Sequence, residues 1–502
     1  MTINNLTHIT QNTSLDRDLS ESAHLGELTL VHFITLGCAR NRVDSEVMLG
    51  SLLSEGWQYT DDPGLADMII INTCGFIKAA KEESIDTILE MSEYKKQAKP
   101  MTLIVAGCLT QRYKKQLMAA LPEVDIFIGS DQFAELPRIL KEHQKSQNNT
   151  DSPPKKIYAQ RTHAIYTDVM PRVNTLHQHS AYVKVAEGCD HNCAFCIIPA
   201  IRGRLRSRPL GSVVKECTEL AQRGVVEINL IAQDLAAYGR DLNQNNYLLD
   251  LLQELVQIND ITWIRLLYAY PENLTDDFLQ FFACEDKLVK YLDIPMQHGS
   301  DHILSKMKRD VTAKDLLNIV RQVRKFVPNI TLRTSVMVGF PGETEEDFLQ
   351  LRSFVQEIAF DHLGCFTYSR EEGTLAGAMD QQVPDDIKKL RRDEIMDIQR
   401  GISQHKLQAL IGQKQAVFLE KKLDTNLEEP MVQLENMFHD LGAKLKAKDS
   451  FALWQGRLSG QAPEVDGKVF VIDSEKKCGT TPLVYGRITE TSEYDALMVL
   501  CE

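Results

Sequence analysis

The sequence predicts an α/β protein of three parts: an N-terminal parallel α/β sheet domain, a central partial (βα)6 barrel and a small C-terminal β-barrel. Three observations lead there. Short apolar runs alternate with amphipathic helical patterns over 29–142 and again over 175–412, as parallel sheets wrapped by helices require. A polar stretch containing Gln147-Asn148-Asn149 and Pro153-Pro154 separates the two series, so 143–174 reads as a linker. Over 413–502 the pattern becomes short alternating strands with turn residues between them, which suits a small barrel.

Taken in order, residues 1–28 are rich in Asn, Thr and Ser and lack a charged start leading into an apolar run. They read as a disordered tail, not a signal peptide. Val31–Leu36, Met68–Asn72, Leu103–Ala106 and Ile126–Ile128 are the strands of the first sheet, with amphipathic stretches such as Val43–Glu55 between them. Centrally, Tyr182–Ala186, Glu227–Ile231, Trp263–Tyr268, Tyr291–Ile294, Thr331–Gly339 and Leu363–Tyr368 alternate with helices such as Leu248–Ile258 and Thr312–Phe326. Six βα units suit an open barrel of neighbouring parallel strands. A charged helix, about Asp385–Ile411, closes that part. Ala416–Leu419, Val469–Ile472 and Leu483–Ile488 are barrel strands, interrupted by an apparent insertion over about 427–454.

The formal net charge of −14 argues against a broad nucleic-acid footprint, which needs clustered Lys and Arg, and suits a basic protein partner. No run of about 18 apolar residues occurs, so no membrane span is expected. The expected compartment is cytoplasmic, where thiols stay reduced. There, 11 cysteines are metal ligands or buried apolar residues rather than disulfides.

Cys189, Cys193 and Cys196 form a Cys-x3-Cys-x2-Cys cluster after the first strand of the second series. A structural zinc site wants four ligands, usually as two close pairs; no second pair follows, though His191 could serve as an improvised fourth ligand. Three thiolates on a four-iron cluster would leave one iron open, able to chelate the amino and carboxylate groups of S-adenosylmethionine (SAM). Cys38, Cys74 and Cys108 each sit just beyond the carboxyl end of an expected strand, where open α/β sheets bind ligands. The plain alternative is three buried apolar cysteines. Cys217, Cys284, Cys365, Cys478 and Cys501 show no ligand spacing and read as packing or surface residues.

Glu187-Gly188-Cys189 through Cys193, Cys196-Ile197-Ile198-Pro199 and Arg202-Gly203-Arg204 to Ser207-Arg208-Pro209 resemble the radical motif of the methylthiotransferase family of radical SAM enzymes. Gly37-Cys38, Asn72-Thr73-Cys74 and Gly107-Cys108 are similar to its auxiliary-cluster positions. The resemblance covers the chain from about residue 30. It implies a radical SAM barrel in the centre, a TRAM-type barrel at the end, and a transferase holding two [4Fe-4S] clusters, one on each cysteine trio.

Within that family, Leu36-Gly37-Cys38-Ala39-Arg40-Asn41, Gln233-Asp234 with Ala237-Tyr238-Gly239, Ala462-Pro463-Glu464-Val465-Asp466-Gly467 and Glu493-Tyr494-Asp495 look like the branch that modifies an aspartate in the twelfth protein of the small ribosomal subunit. Ala39 and Arg40 depart from that branch's usual Pro-Lys. An independent check is charge: 413–502 holds 11 Lys and Arg against 15 Asp and Glu, a net of −4 that would repel tRNA phosphates and attract a basic ribosomal protein.

The resemblance implies that one cluster reduces SAM to release a 5′-deoxyadenosyl radical, which takes hydrogen from the aspartate β-carbon. The other cluster holds the sulfur, which a second SAM methylates. A carbon without an acidic proton is beyond side-chain acid–base chemistry, so the cofactors must supply the reactivity. Val338 and Gly339 would border SAM by resemblance, within Val338-Gly339-Phe340-Pro341-Gly342-Glu343, or form an ordinary turn before a helix capped by Thr344. Gln233, Gln297 and Arg333 would contact SAM or be polar residues of the barrel interior; Lys184 is a weaker candidate. A reducing electron-transfer protein is the implied partner. The competing substrate is a tRNA adenosine, and the competing class a zinc-dependent scaffold without chemistry.

Overall fold

The computed structural model describes residues 29–96, 101–147, 156–162, 165–242, 247–271, 274–425, 428–446, 451–474 and 481–501. The tail expected over 1–28 and Cys478 lie outside them. Strands β1 (Leu30–Thr35), β2 (Gln58–Tyr59), β3 (Met68–Thr73), β4 (Thr102–Gly107), β5 (Ile126–Gly129) and β6 (Ile157–Tyr158) form a parallel sheet in the order 2-1-3-4-5-6. Helices α1 (Ala39–Ser54), α2 (Lys78–Ser92), α3 (Cys108–Ala120) and α4 (Leu136–Gln147) accompany it. Every residue of β3 is buried, as a central strand covered on both faces must be. The strand order reverses between β1 and β3, where such sheets leave a crevice beyond the carboxyl ends.

The span 143–174 is not wholly a linker. Helix α4 runs to Gln147, and β6 pairs with β5. Arg172 is buried against Glu46, at 2.6 Å, and Glu216, at 2.5 Å. The ion pairs hold this stretch in the seam between the first sheet and the second.

The second sheet is β7 (Ser180–Lys184), β10 (Glu227–Ile231), β11 (Trp263–Leu266), β12 (Leu288–Asp293), β13 (Thr331–Val338) and β14 (His362–Thr367), parallel and open in that sequence; β8 (Ala186–Glu187) and β9 (Arg206–Ser207) form a small ribbon. Helices α5 (Ile198–Arg202), α6 (Leu210–Gln222), α7 (Tyr247–Leu255), α8 (Asp276–Cys284), α9 (Asp301–Lys306), α10 (Ala313–Phe326), α11 (Glu345–Ile358) and α12 (Asp385–Gln408) intervene or follow. Cys217 is buried in α6, Cys365 is buried in β14 and Cys284 is exposed.

Strands β15 (Lys414–Leu423), β16 (Ala452–Leu458), β17 (Val469–Asp473), β18 (Leu483–Thr491) and β19 (Ala496–Leu500) close a barrel. The expected insertion is a pair of helices, α13 (Glu428–Met437) and α14 (His439–Lys446). Phe438 and Leu441 cover Leu453, Phe470 and Leu497 of the barrel. Ala452–Trp454, assigned above to the insertion, belong to β16.

The loop from Ser459 to Gly467 enters the concave side of the open barrel. Arg265 donates to the Ser459 carbonyl at 2.7 Å, Tyr291 to Asp466 at 2.7 Å, and Arg42 of α1 to Glu464 at 2.5 Å. Glu464 and Asp466, counted above toward an acidic docking surface, are thus turned inward on Arg42, Tyr291 and Arg333. One apolar cluster runs from Val31 and Phe33 through Tyr182, Trp263 and Tyr291 to Phe418 and Ala462, so all three parts share a core. Among the described residues, no helix is long and apolar enough to cross a membrane.

Glu227, fully buried, bonds Arg457 at 2.5 Å and Arg265 at 3.2 Å, joining the open and closed barrels. Burial pushes its carboxyl up, but Arg457 and Arg265 outweigh that and hold it at about 2. With the folded value depressed, this stability is complete above the unfolded carboxylate's value of about 4.3 and is lost as pH falls toward 2. Arg457→Leu is expected to cost about 3 kcal/mol, the low end for a broken buried pair because Arg265 remains. Acid unfolding, followed by circular dichroism, should then begin at a higher pH than in the wild type.

Candidate metal centres

Cys38 caps α1 after β1, Cys74 follows β3, and Cys108 opens α3 after β4, so all three meet where the strand order reverses. The glycines beside them permit close approach. Gly37 has φ +97°, and a Cβ there would lie 3.0 Å from that of Cys74; one on Gly75 would lie 2.8 Å from the Cys108 carbonyl. The second trio sits in a loop pinned by Cys189 N–H to the Gly203 carbonyl at 3.1 Å and Ala194 N–H to the Met307 carbonyl at 2.9 Å.

Within each trio the thiols lie close enough to feel one another's charge. Burial pushes Cys74 and Cys196 up to about 12 and Cys189 to about 11, so these thiols give up their protons when a metal takes them. Burial also pushes Cys38 up, but Arg40 and Arg202, with the amides of Asn41 and Arg40, outweigh it and hold that thiol below its ordinary value. His191 is held in place beside the trio: its Nε2 lies 2.7 Å from Asp234, and its ring stacks on Tyr270 with centroids 3.9 Å apart. Among the described residues no three His, Cys, Asp or Glu side chains are gathered to hold a single metal ion. An all-sulfur donor set of three fits a four-iron cluster with an open corner.

Sequence reasoning missed the charges between the trios. Arg202, 2% exposed, donates to Cys108 Sγ at 3.4 Å, Asn41 at 2.6 Å, Asp44 at 2.8 Å and Glu187 at 3.0 Å. Lys184 bonds Asp44 and, at 2.8 Å, Glu187. Two cations and two anions therefore lock α1 to the open barrel, and Lys184 is a strut of this network. Arg202 and Glu187 lie in motifs noted from the sequence, but charged residues carry no pattern that announces burial.

Gln233 donates to Glu187 at 2.8 Å, and its Oε1 is buried with no hydrogen-bond partner among the described residues. An orphaned acceptor beside the cysteine loop fits a ligand donor. Gln297 holds φ +72° while its N–H and C=O bond Ser335 and Met337 of β13 at 2.9 and 2.8 Å. Such left-handed non-glycine backbone clusters at ligand sites. Gly339 N–H donates to Glu343 at 2.7 Å, and Thr344 with Asp347 forms a capping box on α11, so this loop is both a built turn and a glycine edge. The Val338 side chain is fully buried in the sheet–helix core and offers no contact of its own. Arg333 is tied to Asp293 at 3.0 Å and Asp466 at 3.4 Å, which turns it toward the C-terminal loop.

Comparison with known proteins agrees with this geometry. Residues 183–355 match the Radical SAM superfamily, 30–129 the Uncharacterized protein family UPF0004, and 446–498 the TRAM domain. The solved radical SAM methyltransferase TsrM of Kitasatospora setae, with cobalamin and a [4Fe-4S] cluster bound, shares the fold at a TM-score of 0.50, with 16% identity, covering 70% of this chain and 77% of that one. Fold and site together define a radical SAM transferase. The ribosomal protein uS12 methylthiotransferase RimO of Anaeromyxobacter sp. (strain Fw109-5) is 44% identical over 93% of this chain and 92% of its own length. Its namesake from Geobacter sulfurreducens is 42% identical over 93% and 97%. The chain belongs to the RimO family of radical SAM methylthiotransferases.

Proposed function

We propose that this chain holds two [4Fe-4S] clusters, on Cys38, Cys74 and Cys108 and on Cys189, Cys193 and Cys196, and attaches a methylthio group to the β-carbon of an aspartate in ribosomal protein uS12. The observation that carries the reading is the bridge between the trios: Arg202 touches Cys108 of one and Glu187, two residues before Cys189, of the other. Both centres thereby open on one seam. When bound, the clusters and SAM supply one-electron cleavage and the sulfur to be transferred.

The chain's own residues hold and enclose. The Gln233 acceptor, the Gln297 backbone and the Gly339 edge receive SAM; Val338 contributes backbone alone, and Arg333 acts through Asp293. The buried network of Arg202, Lys184, Asp44 and Glu187 fixes the distance between the centres and keeps the seam dry. A reducing electron-transfer protein supplies electrons, and the setting is cytoplasmic. The substrate is a basic protein rather than a nucleic acid, and the naming of the relatives for uS12 disfavours a tRNA adenosine.

Mass spectrometry of small-subunit proteins from cells with and without the gene should show the methylthio mass on uS12 only when the gene is present. Its absence from both, in cells expressing the enzyme, sinks the uS12 assignment and directs attention to methylthiolated tRNA nucleosides.

A further inference from the structure

Arg40 occupies a place that cluster ligation does not require. It lies two residues past Cys38 in the first turn of α1, half-buried, and reaches across the seam into the open barrel. Its Nη1 donates to the Ala232 carbonyl at 2.6 Å, and its guanidinium carbon stands 4.8 Å from the centroid of the Tyr268 ring. Ala232 follows β10 and Tyr268 follows β11, so the cation hangs over the carboxyl ends of two barrel strands. Tyr268 holds φ +65°, a costly conformation for a bulky residue, while its ring lies beneath the guanidinium. Arg40 also acts electrostatically on Cys38 of one trio and Cys196 of the other.

The other arginines of this seam are matched with acids. Arg202 has Asp44 and Glu187, Arg172 has Glu46 and Glu216, and Arg42 has Glu464. Arg40 makes no ion pair with a carboxylate among the described residues, and one carbonyl occupies only one of the five N–H donors of a guanidinium.

We propose that Arg40 receives the carboxylate of the target aspartate, so that the aspartate β-carbon is presented between the two cysteine trios. This rests on the aspartate reading given above. An ionised carboxylate entering a dry seam loses its hydration and needs a cation in return, and the guanidinium fork matches its two oxygens. The reaction alters the neighbouring carbon and leaves the carboxylate intact, so the anchor can stay in place throughout. Arg40 is thus a specificity-determining residue, one that selects an acidic side chain over its neutral isostere.

The test uses the full chain with its clusters rebuilt and iron content measured, against uS12 and uS12 bearing Asn at the target position. Wild-type enzyme should bind the aspartate form about 30-fold more tightly than the asparagine form, as a charge-assisted pair warrants. Arg40→Met and Arg40→Gln should reduce that preference to within about 3-fold and lower kcat/KM for methylthio transfer about 100-fold, whereas Arg40→Lys should retain much of both. Either neutral variant with wild-type iron content decides the matter. A neutral variant that keeps the wild-type preference overturns the proposal, and so does a wild type that does not discriminate. If the wild type neither binds nor modifies uS12, the aspartate reading fails and takes this one with it.

Discussion

Replacing Cys189, Cys193 and Cys196 together with alanine is expected to remove about half of the bound iron, about four atoms per chain, and to abolish formation of 5′-deoxyadenosine from SAM. The same change at Cys38, Cys74 and Cys108 should remove the other half and abolish methylthio transfer while 5′-deoxyadenosine still forms. The asymmetry follows from position. The Cys189 trio lies at the barrel's strand ends beside Gln233, whose Oε1 has no hydrogen-bond partner among the described residues, and so beside the proposed SAM site. The Cys38 trio belongs to a separate sheet. Iron assay, chromatography of the nucleoside and mass spectrometry of the substrate give the three readouts. Full iron in either triple variant would mean that its trio holds no cluster.

Arg202→Met should be the most damaging single change at the seam. It removes the donors to Asp44, Glu187, Asn41 and Cys108 at once and leaves two buried carboxylates to share Lys184. Breaking a buried pair on one side costs roughly 3–5 kcal/mol, because the remaining charge stays out of water. Urea unfolding should show a loss of that size, with iron lost first from the Cys108 trio. Arg202→Lys should recover part of the stability without restoring the fork that spans Asn41 and Cys108. A loss below about 1 kcal/mol would mean that water reaches the seam.

Much of this architecture is legible in the sequence because buried parallel strands are written as uninterrupted apolar runs. Ile69, Ile70 and Ile71 or Leu103, Ile104 and Val105 have no exposed face to encode. Cys38, Cys74 and Cys108 are legible for a related reason: each follows such a run, and the fold brings the ends of the runs together, whereas Cys189, Cys193 and Cys196 are legible by their spacing. What escapes is whatever depends on one part meeting another. Helix α1 begins at Ala39, four residues before its expected start, and buries Asn41, Asp44 and Glu46, which amphipathic reasoning turns toward solvent. The Ala462–Gly467 motif is legible only as a family likeness, and its seat in the barrel depends on Tyr291 and Arg333, which receive Asp466. The first three residues of β16 fall within the expected insertion and the rest go unassigned, since the strand's pattern only makes sense opposite β15 and β17.

The apolar cluster that joins all three parts also imposes an order on synthesis. A chain leaves the ribosome from its N-terminus, and early regions normally fold as they emerge. Here Phe33, Tyr182, Trp263 and Tyr291 must wait for Phe418 and Ala462, which are made far later. Until then the concave wall of the open barrel, with Arg265 and Glu227 at its base, faces water and its neighbours in the crowded cell. A product cut short before residue 413 would keep every cysteine of both trios and still lack its seal. It should accumulate as insoluble protein, so the last-made barrel acts as a quality gate on an enzyme whose chemistry lies wholly upstream of it.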